Sequence, residues 1–590
     1  MNRLLTLGAA IVALVILTPV ATGYINPKYT PVDLVRDSSA VLVLRATAPQ
    51  DGRITAQVTQ VLAGVAPAQK LTFDFNDAQD LSADKVTAAF GGQDSAAAVM
   101  CIGKRKEEGM VVAALEIGTT WMGLTQGDAK DLWKLDRDPK DLETVWGGSV
   151  RFLIPALRYT LTDPSPAFPV ASTMDWGKDL SLGKLPGPAH GCLVTADGVI
   201  VLCEGGDRVF KPANADRPPA DVTHSLNLSS KSRAMADGDF NGDGRQDLAS
   251  WDGAKLWLLL RGEDGKFTAP AGGYELSDCR SISSLGAGLI VGRSKGLTWF
   301  APDATGKLIP RDLGGDGGPC AVADIDDDGA PDILQVSPES LSIRAGQRGA
   351  GFAAPVVTKV PTVKNPLSLV CGDFDTDGQL DLLVAGEGGW ALLSRNERQW
   401  TNIMAQTGEL GAASGMGQGE TNAAWACLAD VNGDGRQGVA FFHTSASPSL
   451  FFNRGFAAFG VARTLAFSES KAPAAAALGG GQTAGALADL NDDRVIDLLA
   501  VDRQRNVWVL YGQAKEPRDA RLTLQATGAA PLTLSISFGA RPLGIWVLRP
   551  GEPAAFALPE PGKAVLRWRK ADGAASEQAV MVEGDTRSRL

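Results

Sequence analysis

A chain of 590 residues is too long for one hydrophobic core, so several domains are expected. Its net charge of -11 argues against nucleic acid and anionic membrane as partners, since both are bound through basic patches. Sixty-eight glycines, 6% aromatic and 21% charged residues suit a turn-rich β protein, in which glycine serves positions of positive φ.

The first element is Met1-Asn2-Arg3, an apolar run of 14 residues from Leu4 to Leu17, Pro19, and the small residues Ala21-Thr22-Gly23. This pattern predicts a secretory signal over 1–23, with an uncleaved anchor as the alternative. The run falls short of the ~20 residues a membrane span needs. The expected location is therefore secreted, periplasmic or cell-surface, with no integral membrane segment after cleavage.

Residues 24–185 read as a β-rich N-terminal domain. Ala40–Arg45 and Ile54–Leu62 alternate about Asp51-Gly52, which predicts a hairpin in a small barrel resembling the OB-like or netrin-like kind. Asp128–Val145, with Trp133 and Leu142 among Lys, Asp and Glu, reads as a helix broken near Pro139. Cys192 and Cys203 flank Asp197-Gly198, and a hairpin centred there places them directly opposite, either as a disulfide or as packing partners. Seven cysteines are too few for a disulfide scaffold, and Cys320, Cys371 and Cys427, each just before an acidic loop, read as small core residues.

Those loops are an internal repeat. Asp239-Phe-Asn-Gly-Asp-Gly-Arg-Gln-Asp247, Asp324-Ile-Asp-Asp-Asp-Gly-Ala-Pro-Asp332 and Asp373-Phe-Asp-Thr-Asp-Gly-Gln-Leu-Asp381 are complete copies, and weaker ones begin at Asp430 and Asp489. Two short apolar runs follow each, such as Asp381-Leu-Leu-Val or Leu256-Trp-Leu-Leu-Leu, and these read as strands. The first aspartates are 85, 49, 57 and 59 residues apart, so the first interval holds a unit without a loop, at Leu285–Phe300. Cys192–Phe210 supplies another. Seven units of about four strands make an all-β, seven-bladed β-propeller over 186–518.

The nonapeptides resemble the Asp-x-Asp/Asn-x-Asp-Gly-x-x-Asp loops of the FG-GAP/VCBS-repeat family, related to the integrin α-subunit propeller. Gly265-Lys266-Phe267 and Gly349-Ala350-Gly351-Phe352 look like its Phe-Gly signature. The resemblance covers roughly 190 to 515, and implies that the loops join the first and second strands of a blade on one face.

Alternate residues of such a loop point oxygens at one centre, and calcium takes six to eight oxygens at about 2.4 Å. Positions 1, 3, 5 and 9 supply side chains, position 7 a carbonyl, and glycine at position 6 the turn. The expected ligands are Asp239, Asn241, Asp243, Arg245 and Asp247; Asp324, Asp326, Asp328, Ala330 and Asp332; and Asp373, Asp375, Asp377, Gln379 and Asp381. Asp430, Asn432, Asp434 and Arg436 form an incomplete site, because Gly438 replaces the closing aspartate. Asp489, Asn491, Asp493 and Asp497 keep their oxygens, but Arg494 replaces the glycine and puts a cation beside the site.

Residues 519–590 read as a C-terminal β module, with strands at Leu532–Phe538 and Ala564–Arg569. The second, with Asp572-Gly573, resembles the ASPIC/UnbV module but departs from it by lacking most of its glycine-rich core. No nucleophile elbow, His-Glu-x-x-His helix or phosphate loop is present, and His190, His224 and His443 stand in no metal or triad spacing. The expectation is no enzyme but an exported, calcium-stabilised binding or adhesion scaffold for an extracellular glycan or protein. A carbohydrate-active enzyme (lyase or glycosidase) and a structural envelope protein are the alternatives.

Overall fold

The structure, a computed structural model, describes residues 30–590 except 77, 79–81, 108–109, 138–148, 164–173, 214–216, 269–271, 304–306, 349–350, 397–398, 414–422, 462–472, 515–517, 529, 540, 552 and 559. The signal-like segment lies outside the described residues. Among them no helix is long and apolar enough to cross a membrane.

Seven strands, Ser38–Thr47, Arg53–Ala63, Lys70–Asp74, Ser95–Glu107, Met110–Ile117, Thr120–Gln126 and Leu132–Arg137, close into a barrel. The expected hairpin is its first pair, with Ala46 opposite Ala56, and Asp51 and Gly52 turn it through φ of 48° and 72°. The helix expected over 128–145 is corrected. Leu132–Arg137 is a strand, parallel to Lys70–Asp74 and antiparallel to Thr120–Gln126. Its alternation is the reason: Trp133 and Leu135 both enter the barrel core while Lys134 between them faces out, a period of two. The rest of the expected helix lies outside the described residues.

Val150–Thr162 is a helix, capped by Ser149 Oγ, which accepts the Arg151 N–H. Its buried face of Phe152, Leu153, Ala156 and Leu157 shares one core with Val41, Val99 and Trp121 of the barrel and Phe374, Trp390, Phe441 and Phe459 further along the chain. Helix and barrel are thereby joined to the later sheets.

Glu116, on the barrel strand Met110–Ile117, is fully buried, and neither carboxylate oxygen has a hydrogen-bond partner among the described residues. Burial pushes its pKa well above the usual range, and pushes neighbouring Cys101 up to about 12. Because the folded pKa exceeds the unfolded one, this group's contribution to stability is fully present below about pH 4.3 and is lost as pH rises toward the folded value. Glu116→Gln is expected to flatten this fall and to stabilise the protein more at pH 8 than at pH 5, as read by thermal unfolding at the two pH values.

Seven antiparallel sheets follow, six of four strands and the second of five, and in each the first three strands in the chain are neighbours in order, the seventh taking its fourth strand from upstream. Their first strands are Ala189–Thr195, Ala234–Gly238, Ser281–Leu285, Cys320–Ala323, Asn365–Gly372, Ala424–Ala429 and Gln482–Ala488. Each first strand touches the next, and the seventh touches the first, so the contacts form a closed circuit. Leu285–Phe300 falls within the third sheet, which has no acidic loop. The fourth strand of sheet seven is Met174–Lys184, paired with Asn506–Ala514. The boundary expected at 186 therefore moves upstream to include residues 174–184.

The expected cysteine register is also corrected. Thr195 pairs with Gly198, so the turn is Ala196-Asp197; Cys192 faces Val201, and a register shift sets Cys203 against Ala189. None of the seven cysteines forms a disulfide; Cys320 and Cys371 are buried as expected, but Cys427 is only half-buried.

The C-terminal module spans Ala520–Arg589 as two sheets over Leu522, Leu534, Ile536, Trp546, Phe556 and Leu566. Leu532–Phe538 is a strand with the expected bounds.

Candidate metal loops and the face they form

The five nonapeptides all connect the first and second strands of their sheets, in sheets two, four, five, six and seven. All five share one backbone form, with left-handed residues at positions 4 and 6. The fourth residues Gly242, Asp327, Thr376, Gly433 and Asp492 have φ between 58° and 75°. Gly244, Gly329, Gly378 and Gly435 follow at 81° to 89°, and Arg494 adopts the same region at 69°. The position-1 carboxylate holds the turn by accepting N–H groups from positions 5 and 6, as Asp324 does from Asp328 (3.0 Å) and Gly329 (2.8 Å), and Asp489 from Asp493 (3.2 Å) and Arg494 (2.9 Å). The position-5 carboxylate accepts the N–H of position 7: Asp243 from Arg245, Asp328 from Ala330, Asp377 from Gln379 and Asp434 from Arg436.

The closing aspartates have a second role that their place in the motif hides. Asp247 accepts the N–H groups of Phe240 (3.0 Å) and Arg261 (2.7 Å), Asp332 those of Ile325 (2.8 Å) and Gly346 (2.7 Å), and Asp497 those of Leu490 (2.8 Å) and Gly512 (2.9 Å). Asp381 accepts from Phe374 at 2.9 Å. Each is a buried buckle, and in three loops it ties the loop to the end of the third strand. In sheet six Gly438 stands there, and a Cβ would meet Val431 Cγ2 at 2.7 Å and the Phe451 carbonyl oxygen at 2.8 Å. No aspartate fits.

Two loops bring three carboxylates together. Asp324, Asp326 and Asp332 each offer an oxygen within 4.8 Å of the others, as do Asp373, Asp375 and Asp377. Asp381 is outside the second group. Among the described residues the other three loops assemble no such group. Burial raises the pKa of Asp332 to about 7, and burial with repulsion from Asp375 and Asp377 carries Asp373 well above its ordinary value. Asp375 is raised to about 6 by burial and Asp377, while Ser394 Oγ donates to it at 2.8 Å and Arg151 approaches at 3.7 Å. These clusters carry more negative charge than their surroundings compensate, and their oxygen-only donors fit a hard divalent cation. In the first loop Asn241 and Arg245 (2.5 Å) already contact Asp243.

The acidic loops meet the protein's own flanking domains. Thr533 Oγ1 accepts the Asp324 N–H at 3.1 Å, and Arg569 pairs with Asp327 at 3.2 Å. A Cβ at Gly329 would stand 2.2 Å from the Lys570 carbonyl oxygen, and one at Gly435 2.7 Å from Leu543 Cδ1. Two loop glycines therefore serve close approach as well as the turn. Gly378, at φ +82°, has nothing within 4 Å of its added Cβ. Gly378→Ala is expected to cost about 1 to 2 kcal/mol of backbone strain and leave the module seated. Gly329→Ala adds a clash with backbone and is expected to unseat it, read as faster amide hydrogen exchange over Gly562–Arg569.

The Phe-Gly phenylalanines are packing residues: Phe267 is buried at the start of a fourth strand, and Phe352 lies 5.2 Å edge-on to Trp299. Gly349 and Ala350 lie outside the described residues. His190 bonds Glu204 and His443 bonds Ser449, in different sheets.

Among solved structures, the chain is similar to a lectin of Agrocybe aegerita that recognises non-reducing terminal N-acetylglucosamine. Identity is 14%, coverage 65% of this chain and 99% of that one, and the TM-score 0.36. The N-terminal domain of Nup159 is 9% identical, with 57% and 96% covered and a TM-score of 0.33. PorZ, a surface component of the type-IX secretion system of Porphyromonas gingivalis, is 9% identical, with 92% and 74% covered and a TM-score of 0.31. Comparison with curated proteins gives no match. Residues 324–384, which carry the two three-carboxylate loops, match the FG-GAP-like repeat.

Proposed function

We propose that the chain is an exported seven-bladed β-propeller, stapled by calcium at its acidic loops, that binds an extracellular glycan or protein and performs no catalysis. The observation carrying this reading is the convergence of Asp324, Asp326 and Asp332, and of Asp373, Asp375 and Asp377, in loops of one form at one place in successive sheets. The closed circuit of first strands, with Met174–Lys184 completing sheet seven, supports the propeller. The apolar run after Met1-Asn2-Arg3 supports export.

Calcium, when bound, neutralises the clustered carboxylates. Asp324, Asp326, Asp328, Asp332 and the Ala330 carbonyl would hold it in one loop, and Asp373, Asp375, Asp377 and the Gln379 carbonyl in the next. Sites with Kd ~10⁻⁴ to 10⁻³ M suit extracellular calcium, and an ion at ten times Kd adds roughly 1.4 kcal/mol. Because the flanking domains meet the acidic loops, the opposite face and the central channel are left for ligand.

Asp328→Ala is expected to reduce the calcium-dependent rise in melting temperature more than Asp434→Ala; equal effects would overturn the ranking. For the ligand, the mature chain is applied to glycan and protein arrays with calcium and with chelator. Calcium-dependent retention without turnover supports the scaffold. Turnover abolished by one acidic substitution outside the five loops would defeat it.

A further inference from the structure

The last two loops keep the shared backbone but assemble no three-carboxylate group, and cationic side chains at the entrance to the C-terminal module stand against them. Arg521 reaches Asp489 Oδ2 at 2.8 Å, Asp492 Oδ1 at 2.6 Å and Asp585 Oδ1 at 3.1 Å, with only 12% of its side chain exposed. Asp489 is the position-1 carboxylate on which the loop is wound. The Arg518 guanidinium lies against Gly433, where an added Cβ would stand 2.3 Å from its central carbon. Arg518 also donates to the Arg494 carbonyl at 3.2 Å, Arg494 donates back to the Arg518 carbonyl at 2.9 Å, and Arg494 pairs with Asp585 at 2.9 Å. The charges of Asp430, Asp493, Asp434 and Asp489 all act on Arg518.

We propose that Arg518 and Arg521 are the resident cations of the Asp430 and Asp489 loops, fastening the C-terminal module to sheets six and seven without a metal ion. A guanidinium suits the task because it stays charged at every accessible pH and its fork bridges two carboxylates, as Arg521 bridges Asp489 and Asp492. The module then has two kinds of attachment on one face. Those at the Asp430 and Asp489 loops are permanent, and those at the Asp324 loop respond to calcium. Only this second half rests on the proposed calcium function.

The test uses the full chain carrying Arg518→Gln and Arg521→Gln together, with chelator and with calcium. Amide hydrogen exchange over Ala520–Gln525 and terbium stoichiometry by equilibrium dialysis are read in both. Exchange over Ala520–Gln525 in chelator is expected to be at least tenfold faster than in wild type. One additional terbium is expected per chain, lost again on adding Asp489→Asn. Exchange equal to wild type overturns the assignment, as does an ion already held at the Asp489 loop, revealed by Asp489→Asn lowering wild-type stoichiometry. If the double variant does not fold, Arg521→Lys, which keeps the charge but cannot bridge both carboxylates, decides by the same exchange measurement. Wild-type chain that takes up no terbium at any loop defeats the calcium reading and leaves the exchange result to judge the arginines.

Discussion

Asp332→Ala is expected to cost about 2 to 5 kcal/mol in chelator, before any calcium is added. The side chain is 1% exposed and accepts two backbone N–H groups, Ile325 at 2.8 Å and Gly346 at 2.7 Å. Removing it takes this acceptor from the buried Ile325 and the half-buried Gly346, and a buried donor left unpaired costs about 1 to 3 kcal/mol. Relief of repulsion with Asp324 and Asp326 offsets a part. The loss separates the buckle from the ligand: Asp328→Ala, whose carboxylate accepts the Ala330 N–H, should be mild in chelator and show its effect when calcium is present. Hydrogen exchange of the Cys320–Val336 hairpin, with and without calcium, distinguishes them. Equal losses for the two variants in chelator would remove the buckle role.

Trp390→Ala is expected to cost about 3 to 5 kcal/mol, the range for truncating a buried aromatic. Trp390 is 4% exposed, stacks on Phe441 at 4.0 Å and 16°, and donates its indole N–H to the Leu410 carbonyl at 3.1 Å. It shares a core with Phe152 and Leu153 of the connecting helix. The cavity therefore opens where sheets five and six meet the N-terminal barrel, and the helix should loosen together with the sheets. Exchange over Val150–Thr162 is the readout, and Trp390→Phe should recover most of the loss. Protection of that helix unchanged in Trp390→Ala would show that the shared core does not couple the two domains.

The repeat was legible because its loops restrict residue type at almost every position. Two left-handed residues favour Gly, Asn or Asp, and a carboxylate at position 1 winds the turn. Even Arg494 sits at the positive φ its place in the motif required. The closing aspartate was legible as a residue but not as a buckle, since a carboxylate that accepts backbone N–H groups looks in sequence like one awaiting a metal. Leu132–Arg137 reads as helix in sequence because three apolar residues in six satisfy a helix stripe as easily as strand alternation. The cysteine register failed on a single step, because Ala196-Asp197 rather than Asp197-Gly198 is the turn and the strand shifts again before Cys203. Arg518 and Arg521 lie 24 and 32 residues from Arg494 and Asp489 respectively, and nothing local marks them. The one available signal was a loop that had lost its glycine to arginine and so had to dispose of its charge in another way.

The strand Met174–Lys184 has a consequence for the order of assembly. It is synthesised roughly 320 residues before its partner Asn506–Ala514, so the last seam can close only after nearly the whole chain is available. Until then both strands present open edges. At high concentration the same pairing can form between copies, one chain lending residues 174–184 to the seventh sheet of another, so that strand exchange is the characteristic misassembly this topology invites.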